Sequence, residues 1–221
     1  ILYKLFKMIN QLTKNNFKIL KSKNVFKPTG TSELLFRSVI KSIKKPGKIL
    51  DLGCGSGYVG IAIKKNLKFK TNCFFSDLSK YATNLTKKNL KVNKISGTVK
   101  SGNLFSCWNN HKFDYIVNDV SGISKEISKY SPWYNNKIPS NSGFDGTKLT
   151  IKFILESKKY LNKNGKIFFP IISLSNYKKV LFTAKKNFKS LKLISSKDWP
   201  LPKEMYKYKT QIEKLNKKNI I

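Results

Sequence analysis

A glycine-rich turn between two apolar segments constrains the fold of this chain more than any other feature. Residues 48–52, KILDL, have the composition of a short buried strand, and residues 58–67, YVGIAIKKNL, have the spacing of a helix. Three glycines lie between them, in residues 53–57. Glycine adopts backbone angles that other residues avoid and lets a ligand approach the main chain closely. The pattern predicts a ligand-binding turn at the carboxyl end of a sheet strand.

The same alternation of apolar runs and helix-like segments continues as far as residue 188. It is typical of a mainly parallel sheet with helices on both faces. We therefore predict an α/β fold, a Rossmann-like three-layer sandwich with a mostly parallel sheet of the seven-strand type. Residues 191–221 are expected to supply its last antiparallel strands.

The length of 221 residues suits one domain. We assign residues 25–221 to that domain and residues 1–24 to an N-terminal helical extension. The apolar positions of the extension follow helical spacing and are Leu2, Leu5, Phe6, Ile9 and Leu12. No run approaches the roughly 18 apolar residues of a membrane span, so no membrane association is expected.

The formal net charge of +34 has two explanations. A basic surface attracts nucleic acid, which favours an RNA contact. Nearly all the basic residues are lysine, however, and the chain is also rich in Asn, Ile, Phe and Tyr, which is typical of strong AT bias in the coding sequence. Arg37 is the one arginine, and arginine is the side chain best suited to grip phosphates and bases. Both explanations remain open at this point.

The cysteines and the single histidine indicate a reducing compartment and no metal. Cys54, Cys73 and Cys107 are far apart, and an odd number argues against a disulfide framework, so a cytoplasmic location is expected. His111 has no Cys or His at ligand spacing, which disfavours a zinc site.

Two acidic residues indicate which ligand the glycine turn holds. Asp77 ends the next apolar strand, where its carboxylate can accept hydrogen bonds from ribose hydroxyls. Gly55, Gly57 and Gly60 also fit the G-x-G-x-x-G pattern of dinucleotide-binding proteins. Asp51 argues against that alternative, because an anion at the end of the first strand repels a pyrophosphate but suits an ammonium and a sulfonium group.

These motifs resemble class I S-adenosylmethionine-dependent methyltransferases. A narrower resemblance, over about residues 25–172, is to the protein-glutamine N5-methyltransferase group and its relatives with a "methyltransferase small" domain. The lead-in VFKPTGTSE, with Phe26, Pro28, Ser32 and Glu33, and the later stretch GFDGTKLTIKFILESKKYLNKNGKIFF are similar to family segments. The resemblance implies S-adenosylmethionine as cofactor, bound by Asp51, Gly53, Cys54, Gly55, Gly57, Asp77, Leu78, Asn103, Leu104 and Asn118.

The chain departs from the family at the motif that binds the methyl acceptor. The family's Asn-Pro-Pro-Tyr reads Asn118, Asp119, Val120, Ser121 here. We predict that Asn118 orients the acceptor and that Asp119 accepts a bond from it or removes its proton. A carboxylate that only caps the following loop is the alternative for Asp119.

The long loop of residues 121–146 is the predicted substrate loop, because such loops at the carboxyl ends of strands border the ligand crevice. Its candidate substrate-binding residues are Ser121, Trp133 and Tyr134. The two aromatic residues either replace the family's lost tyrosine or anchor the loop by hydrophobic packing.

The predicted function is transfer of a methyl group from S-adenosylmethionine to an amide or amine nitrogen of a protein or RNA. Two alternatives remain open. One is methylation of an oxygen in a small molecule, and the other is a non-catalytic RNA-binding module that has kept the fold.

Overall fold

The structure is a computed structural model that describes residues 17–120, 122–135, 137–138, 140 and 142–221. The apolar positions predicted to form an N-terminal helix, residues 2–12, lie outside the described residues. Residues 17–22 run without regular structure along a helix, where the Leu20 amide donates to Asn89 Oδ1 at 2.7 Å and the Lys18 amide to Asn93 Oδ1 at 2.8 Å.

Five strands in the described part of the chain form a wholly parallel sheet in the order β3-β2-β1-β4-β5. They are β1 (Lys48–Leu52), β2 (Asn72–Asp77), β3 (Thr98–Ser101), β4 (Phe113–Asn118) and β5 (Leu161–Phe168). The chain moves outward from β1 to one side and then crosses to β4 on the other side. This reversal places a ligand crevice at the carboxyl ends of β1 and β4.

Helices cover both faces of the sheet. The described helices are α1 (Gly30–Ser42), α2 (Tyr58–Asn66), α3 (Lys80–Val92), α4 (Lys125–Ser128), α5 (Lys148–Ser157), α6 (Tyr177–Asn187) and α7 (Lys209–Lys217), with 3₁₀ turns at Lys158–Tyr160 and Lys203–Tyr208. Helices α1, α2 and α3 pack on one face, and α5 and α6 pack on the other. The predicted three-layer Rossmann-like class is therefore confirmed.

Alternate residues of β1 supply the two halves of the core. Ile49 packs with Phe36 of α1 on one face, and Leu50 packs with Phe153 of α5 on the other; each of these side chains is at most 1% exposed. A strand buried on both faces requires the continuous apolar sequence that residues 48–52 have. The core thus holds the end of β1, and with it the glycine turn, in a fixed place.

The predicted antiparallel strands in residues 191–221 are wrong, and with them the seven-strand size of the sheet. Within the described residues, 189–202 have no regular structure, and a 3₁₀ turn and α7 follow them. Pro200 and Pro202 lack the amide hydrogen that a strand ladder needs. Met205 and Ile212 are buried instead in a small apolar cluster with Ile127 of α4. None of the described helices has the length and apolar character needed to cross a membrane.

Candidate functional site

The glycine turn at the end of β1 has a backbone that only glycine adopts easily. Gly53, Gly55 and Gly57 have φ angles of 72°, 55° and 77°. A Cβ atom on Gly53 would lie 2.4 Å from Val120 Cγ1. The amides of Gly53 and Cys54 both donate to the Ser76 carbonyl oxygen, at 2.8 and 2.9 Å. The turn is therefore bonded to the end of β2 and leaves space for a ligand above it.

Asp51 lies beneath this turn with one unpaired oxygen. Its Oδ2 accepts the Gly60 amide at 2.8 Å, whereas its buried Oδ1 has no hydrogen-bond partner among the described residues. Burial raises the pKa of Asp51 to about 7 and outweighs the Gly60 bond, while Asp119 and Asp77 raise it further. A cationic group in the cleft would pair with Oδ1 and satisfy the carboxylate.

Asp77 at the end of β2 borders the same cleft. Its Oδ2 accepts the Gly55 amide at 2.9 Å and its Oδ1 accepts the Ser79 amide at 2.8 Å. Burial raises the pKa of Asp77, while these backbone bonds and one from Leu78 lower it. A carboxylate has about four lone-pair sites, so beside these backbone bonds Asp77 can still accept a hydrogen bond from a ribose hydroxyl.

Four more of the predicted cofactor residues line the cleft, namely Cys54, Leu78, Asn103 and Leu104. Burial raises the pKa of the Cys54 thiol well above its usual range, and its Sγ lies 3.3 Å from Thr86 Oγ1. Leu78 is 65% exposed. An exposed leucine beside a turn of this kind offers an apolar surface for a planar base.

The residues of this wall fit S-adenosylmethionine. Asp51 Oδ1 is a buried acceptor without a partner, which suits the ammonium group of the amino acid part. Asp77 suits the ribose hydroxyls, and Leu78 suits the adenine. We refer to residues 51–57 with Asp77 as the donor wall.

Asp119, directly after β4, forms the centre of the opposite side of the cleft. Its Oδ2 accepts a hydrogen bond from Ser32 Oγ of α1, at 2.6 Å. Burial raises the pKa of Asp119 to about 6, and the Ser32 bond lowers it. A carboxylate with this pKa is largely ionised at neutral pH and takes up a proton when the pH falls to about 6. The acceptor wall is the name we give to the residues that line this side of the cleft, namely Ser32, Asp119, Val120, Gly122, Trp133 and Tyr134.

Asn118 is buried behind the cleft, whereas Asp119 lines it. Its side chain is 1% exposed, and its Oδ1 accepts the Val120 amide at 3.0 Å. This bond fixes the turn that follows β4 and uses one of the two lone pairs of the oxygen. Ser121 lies outside the described residues.

Trp133 and Tyr134 line the cleft and also pack against the cluster that contains Ile127 and Met205. The ring of Tyr134 lies 5.5 Å from the ring of Phe26, centre to centre. The structure thus brings both aromatic residues to the acceptor wall. Each of the two residues therefore packs in a way that anchors the loop and also lies beside the cleft.

Sequence reasoning gave no role to two residues that the structure places at the cleft. Ser32 was part of the family-like lead-in, and its position in the first turn of α1 is the only signal for its contact with Asp119. Trp199 was expected in a terminal strand, but it contacts Gly30 at the start of α1. Among the residues that the structure describes, no group of three or more Cys, His, Asp or Glu side chains is placed to hold a metal ion.

The parallel sheet, the glycine turn and the two acids define the class of Rossmann-like, S-adenosylmethionine-dependent methyltransferases. Residues 6–119, just over half of the chain, match the model of the methyltransferase small domain, and the chain belongs to that family. This match confirms the predictions of a class I methyltransferase and of its cofactor. It begins within residues 1–24, which the sequence analysis assigned to an extension.

Curated relatives have similar sequences. The chain is 31% identical, over 140 residues, to ribosomal RNA small subunit methyltransferase C of Haemophilus influenzae, covering 63% of this chain and 36% of the relative. It spans about a third of the length of the curated relatives it matches.

Two solved structures share the fold. A 16S rRNA N2 guanine methyltransferase from T. thermophilus, in complex with AdoMet and guanosine, gives a TM-score of 0.57 at 14% identity, over 81% of this chain and 43% of the other. The ribosomal protein L11 methylase of Lactobacillus delbrueckii gives a TM-score of 0.56 at 19% identity, over 75% and 72%.

Proposed function

We propose that this chain transfers a methyl group from S-adenosylmethionine to an exocyclic amine nitrogen of a base in ribosomal RNA. The observation that carries the proposal is the position of Asp119, a partly buried carboxylate in the cleft. It lies one residue before Val120, which packs over Gly53 of the donor wall. The names of the curated relatives support RNA as the acceptor, and the guanosine in the T. thermophilus complex supports a purine amine.

The donor wall binds and orients the cofactor. When bound, the cofactor supplies a methyl group already activated by its sulfonium, so the protein chiefly needs to align the two reactants and exclude water. Asp51 Oδ1 is the acceptor for the ammonium group, and Asp77 is the acceptor for the ribose hydroxyls. The positive φ angles of the glycines allow the chain to turn sharply between β1 and α2.

The acceptor wall positions the nucleophile. An amine nitrogen attacks through its lone pair and loses a proton as the new bond forms. Above its pKa of about 6, Asp119 accepts an N–H hydrogen bond from the amine, aims the lone pair at the methyl group and takes up the proton late. Asn118 is a positioning residue that holds the turn after β4 through the Val120 amide.

The charge of the chain favours RNA over a protein acceptor. At +34, the surface is complementary to phosphates, whatever the origin of its lysines. A ribosomal RNA acceptor also implies the cytoplasm as the place of action. A protein nitrogen or a small-molecule oxygen as acceptor, or RNA binding without transfer, are separate outcomes of the test below.

The test is methyl transfer from methyl-labelled S-adenosylmethionine to small-subunit ribosomal RNA, followed by digestion to nucleosides. We expect label in an N-methylated purine and none when Asp119 is replaced by Asn. Label on a ribose oxygen, label only in protein, or bound RNA without any transfer would each contradict the proposal.

A further inference from the structure

Residues 189–202 form an exposed strip along the cleft, which we call the C-terminal strip. Of residues 189–200, only Ser195 is not exposed, and it accepts a hydrogen bond from Ser38 Oγ of α1 at 3.0 Å. Leu193 is 79% exposed and Trp199 is 41% exposed. The strip is therefore hydrogen-bonded to α1 at Ser195, and most of its apolar side chains are exposed to the solvent.

Trp199 lies close to the acceptor wall. A Cβ atom added to Gly30, the first residue of α1, would lie 2.4 Å from Trp199 Cη2. Ser32, the partner of Asp119, is two residues further along the same helix, about 3 Å along its axis. The indole therefore lies at the N-terminal end of α1, the same end of the helix as the hydroxyl that bonds to the proposed base.

Lysines accompany the exposed indole. Lys197 Nζ lies 4.2 Å from the centre of the Trp199 ring, and Lys189 and Lys192 precede it in the strip, against one acid, Asp198. An ammonium over an exposed ring is held weakly and can exchange the ring for a phosphate. Aromatic rings next to lysines are the usual means of binding single-stranded nucleic acid, because every base has a face that stacks.

We propose that the C-terminal strip binds single-stranded RNA next to the methylated base. A neighbouring base stacks on Trp199, and Lys197 leaves the ring for the phosphate of that nucleotide. RNA is the occupant that fits, since the strip has excess positive charge and is continuous with a cleft whose proposed acceptor is RNA. This inference rests on the proposed function and assigns the RNA-contacting surface within it.

Binding of a short, fluorescein-labelled single-stranded RNA of mixed sequence to the full chain tests the inference. Trp199→Ala is expected to weaken binding about tenfold, and Trp199→Phe, which keeps a ring, much less. Lys197→Ala should lower the slope of log affinity against log salt by about 0.7. Lys70→Ala is the matched control, because Lys70 is exposed two residues before β2, at the opposite edge of the sheet.

Gly30→Ala is an independent variant that displaces the indole without removing it. Its methyl group occupies the space of the Trp199 ring, so we expect about the same loss of RNA affinity as for Trp199→Ala. S-adenosylmethionine affinity and the unfolding temperature, measured for every variant, establish that each protein is folded.

The outcomes separate the two proposals. If the wild-type chain binds RNA and the Trp199 and Gly30 variants bind equally well, the strip is not the RNA surface, and the proposed function stands. If the wild-type chain binds S-adenosylmethionine but no RNA at low salt, both the strip and the RNA acceptor are wrong. If duplex RNA of the same sequence competes as well as the single strand, stacking on Trp199 is refuted.

Discussion

Backbone hydrogen bonds hold the glycine turn of the donor wall, whereas a contact between two side chains holds Asp119 of the acceptor wall. In the first, the amides of Gly53 and Cys54 bond to the Ser76 carbonyl. In the second, the central contact joins the Ser32 hydroxyl to Asp119. The backbone bonds of the turn require glycine at fixed positions. The contact between Ser32 and Asp119 depends instead on the identity of those two side chains. The glycine turn keeps the family pattern, whereas residues 118–121 depart from it.

The largest expected effect is that of Gly53→Ala. The substitution places a methyl group 2.4 Å from Val120 Cγ1 at a φ of +72°, so the turn must move. We expect at least about a hundredfold loss of S-adenosylmethionine affinity by calorimetric titration and a loss of roughly 2 kcal/mol in the free energy of unfolding.

Gly122→Ala is the control from the acceptor wall. The nearest atom to its added Cβ is 3.8 Å away, and its φ is not positive. We expect its free energy of unfolding to stay within about 0.5 kcal/mol of wild type. Equal losses in the two alanine variants would contradict the distinction between the walls.

Asp119→Asn should separate chemistry from cofactor binding. Without the carboxylate, we expect kcat to fall roughly a hundredfold or more, with the Kd for S-adenosylmethionine unchanged. The wild-type rate should decrease as the pH falls through about 6, the pKa of Asp119, because the protonated group no longer accepts the amine proton. If the variant keeps both the rate and this pH limb, Asp119 is only a cap of the loop.

The raised pKa of Asp51 predicts that the affinity for the cofactor depends on pH. The bound ammonium group needs the ionised carboxylate, so affinity should fall about tenfold per pH unit below 7. In Asp51→Asn this dependence should disappear. Calorimetric titrations at several pH values measure this dependence. If Asp51→Asn still shows it, a group other than Asp51 takes up the proton.

The same carboxyl group affects stability without ligand. Its folded pKa of about 7 exceeds the ordinary value of 3.8, so between these pH values the folded state holds a proton that the unfolded state has lost. Stability from this group therefore decreases as the pH rises through that window. We expect Asp51→Asn to raise the free energy of unfolding at pH 8 by roughly 3 kcal/mol in denaturant titrations.

The smallest effect is expected from Ser32→Ala. The Ser32 hydroxyl lowers the pKa of Asp119, so its loss should move the acid limb of the rate profile to higher pH. We expect a reduction in rate of a few fold near neutral pH and no change in S-adenosylmethionine affinity. Ser42→Ala, which removes a hydroxyl from the same helix, should leave the profile in place.

The strand, the glycine turn and Asp77 could be located from the sequence because their determinants are local. Strand β1, the glycine turn and Asp77 lie within 30 residues of one another, and each is visible as an apolar run, a glycine or an acid at a strand end.

The acceptor side depends on contacts between distant residues. Ser32 and Asp119 are 87 residues apart, and the contact of Trp199 with Gly30 spans the whole domain. The terminal strands were predicted incorrectly for the same reason, since distant contacts decide the structure there. Prolines and tertiary packing with α1 and α4 outweigh the apolar pattern of residues 191–194.

The most direct test of the central claim is calorimetric titration of S-adenosylmethionine into wild type, Asp77→Ala and a surface carboxylate control, Glu156→Ala. The account predicts micromolar binding by the wild type and the control, with at least a tenfold loss in Asp77→Ala. Absence of binding by the wild type, or equal affinity of all three proteins, would contradict the assignment of the donor wall.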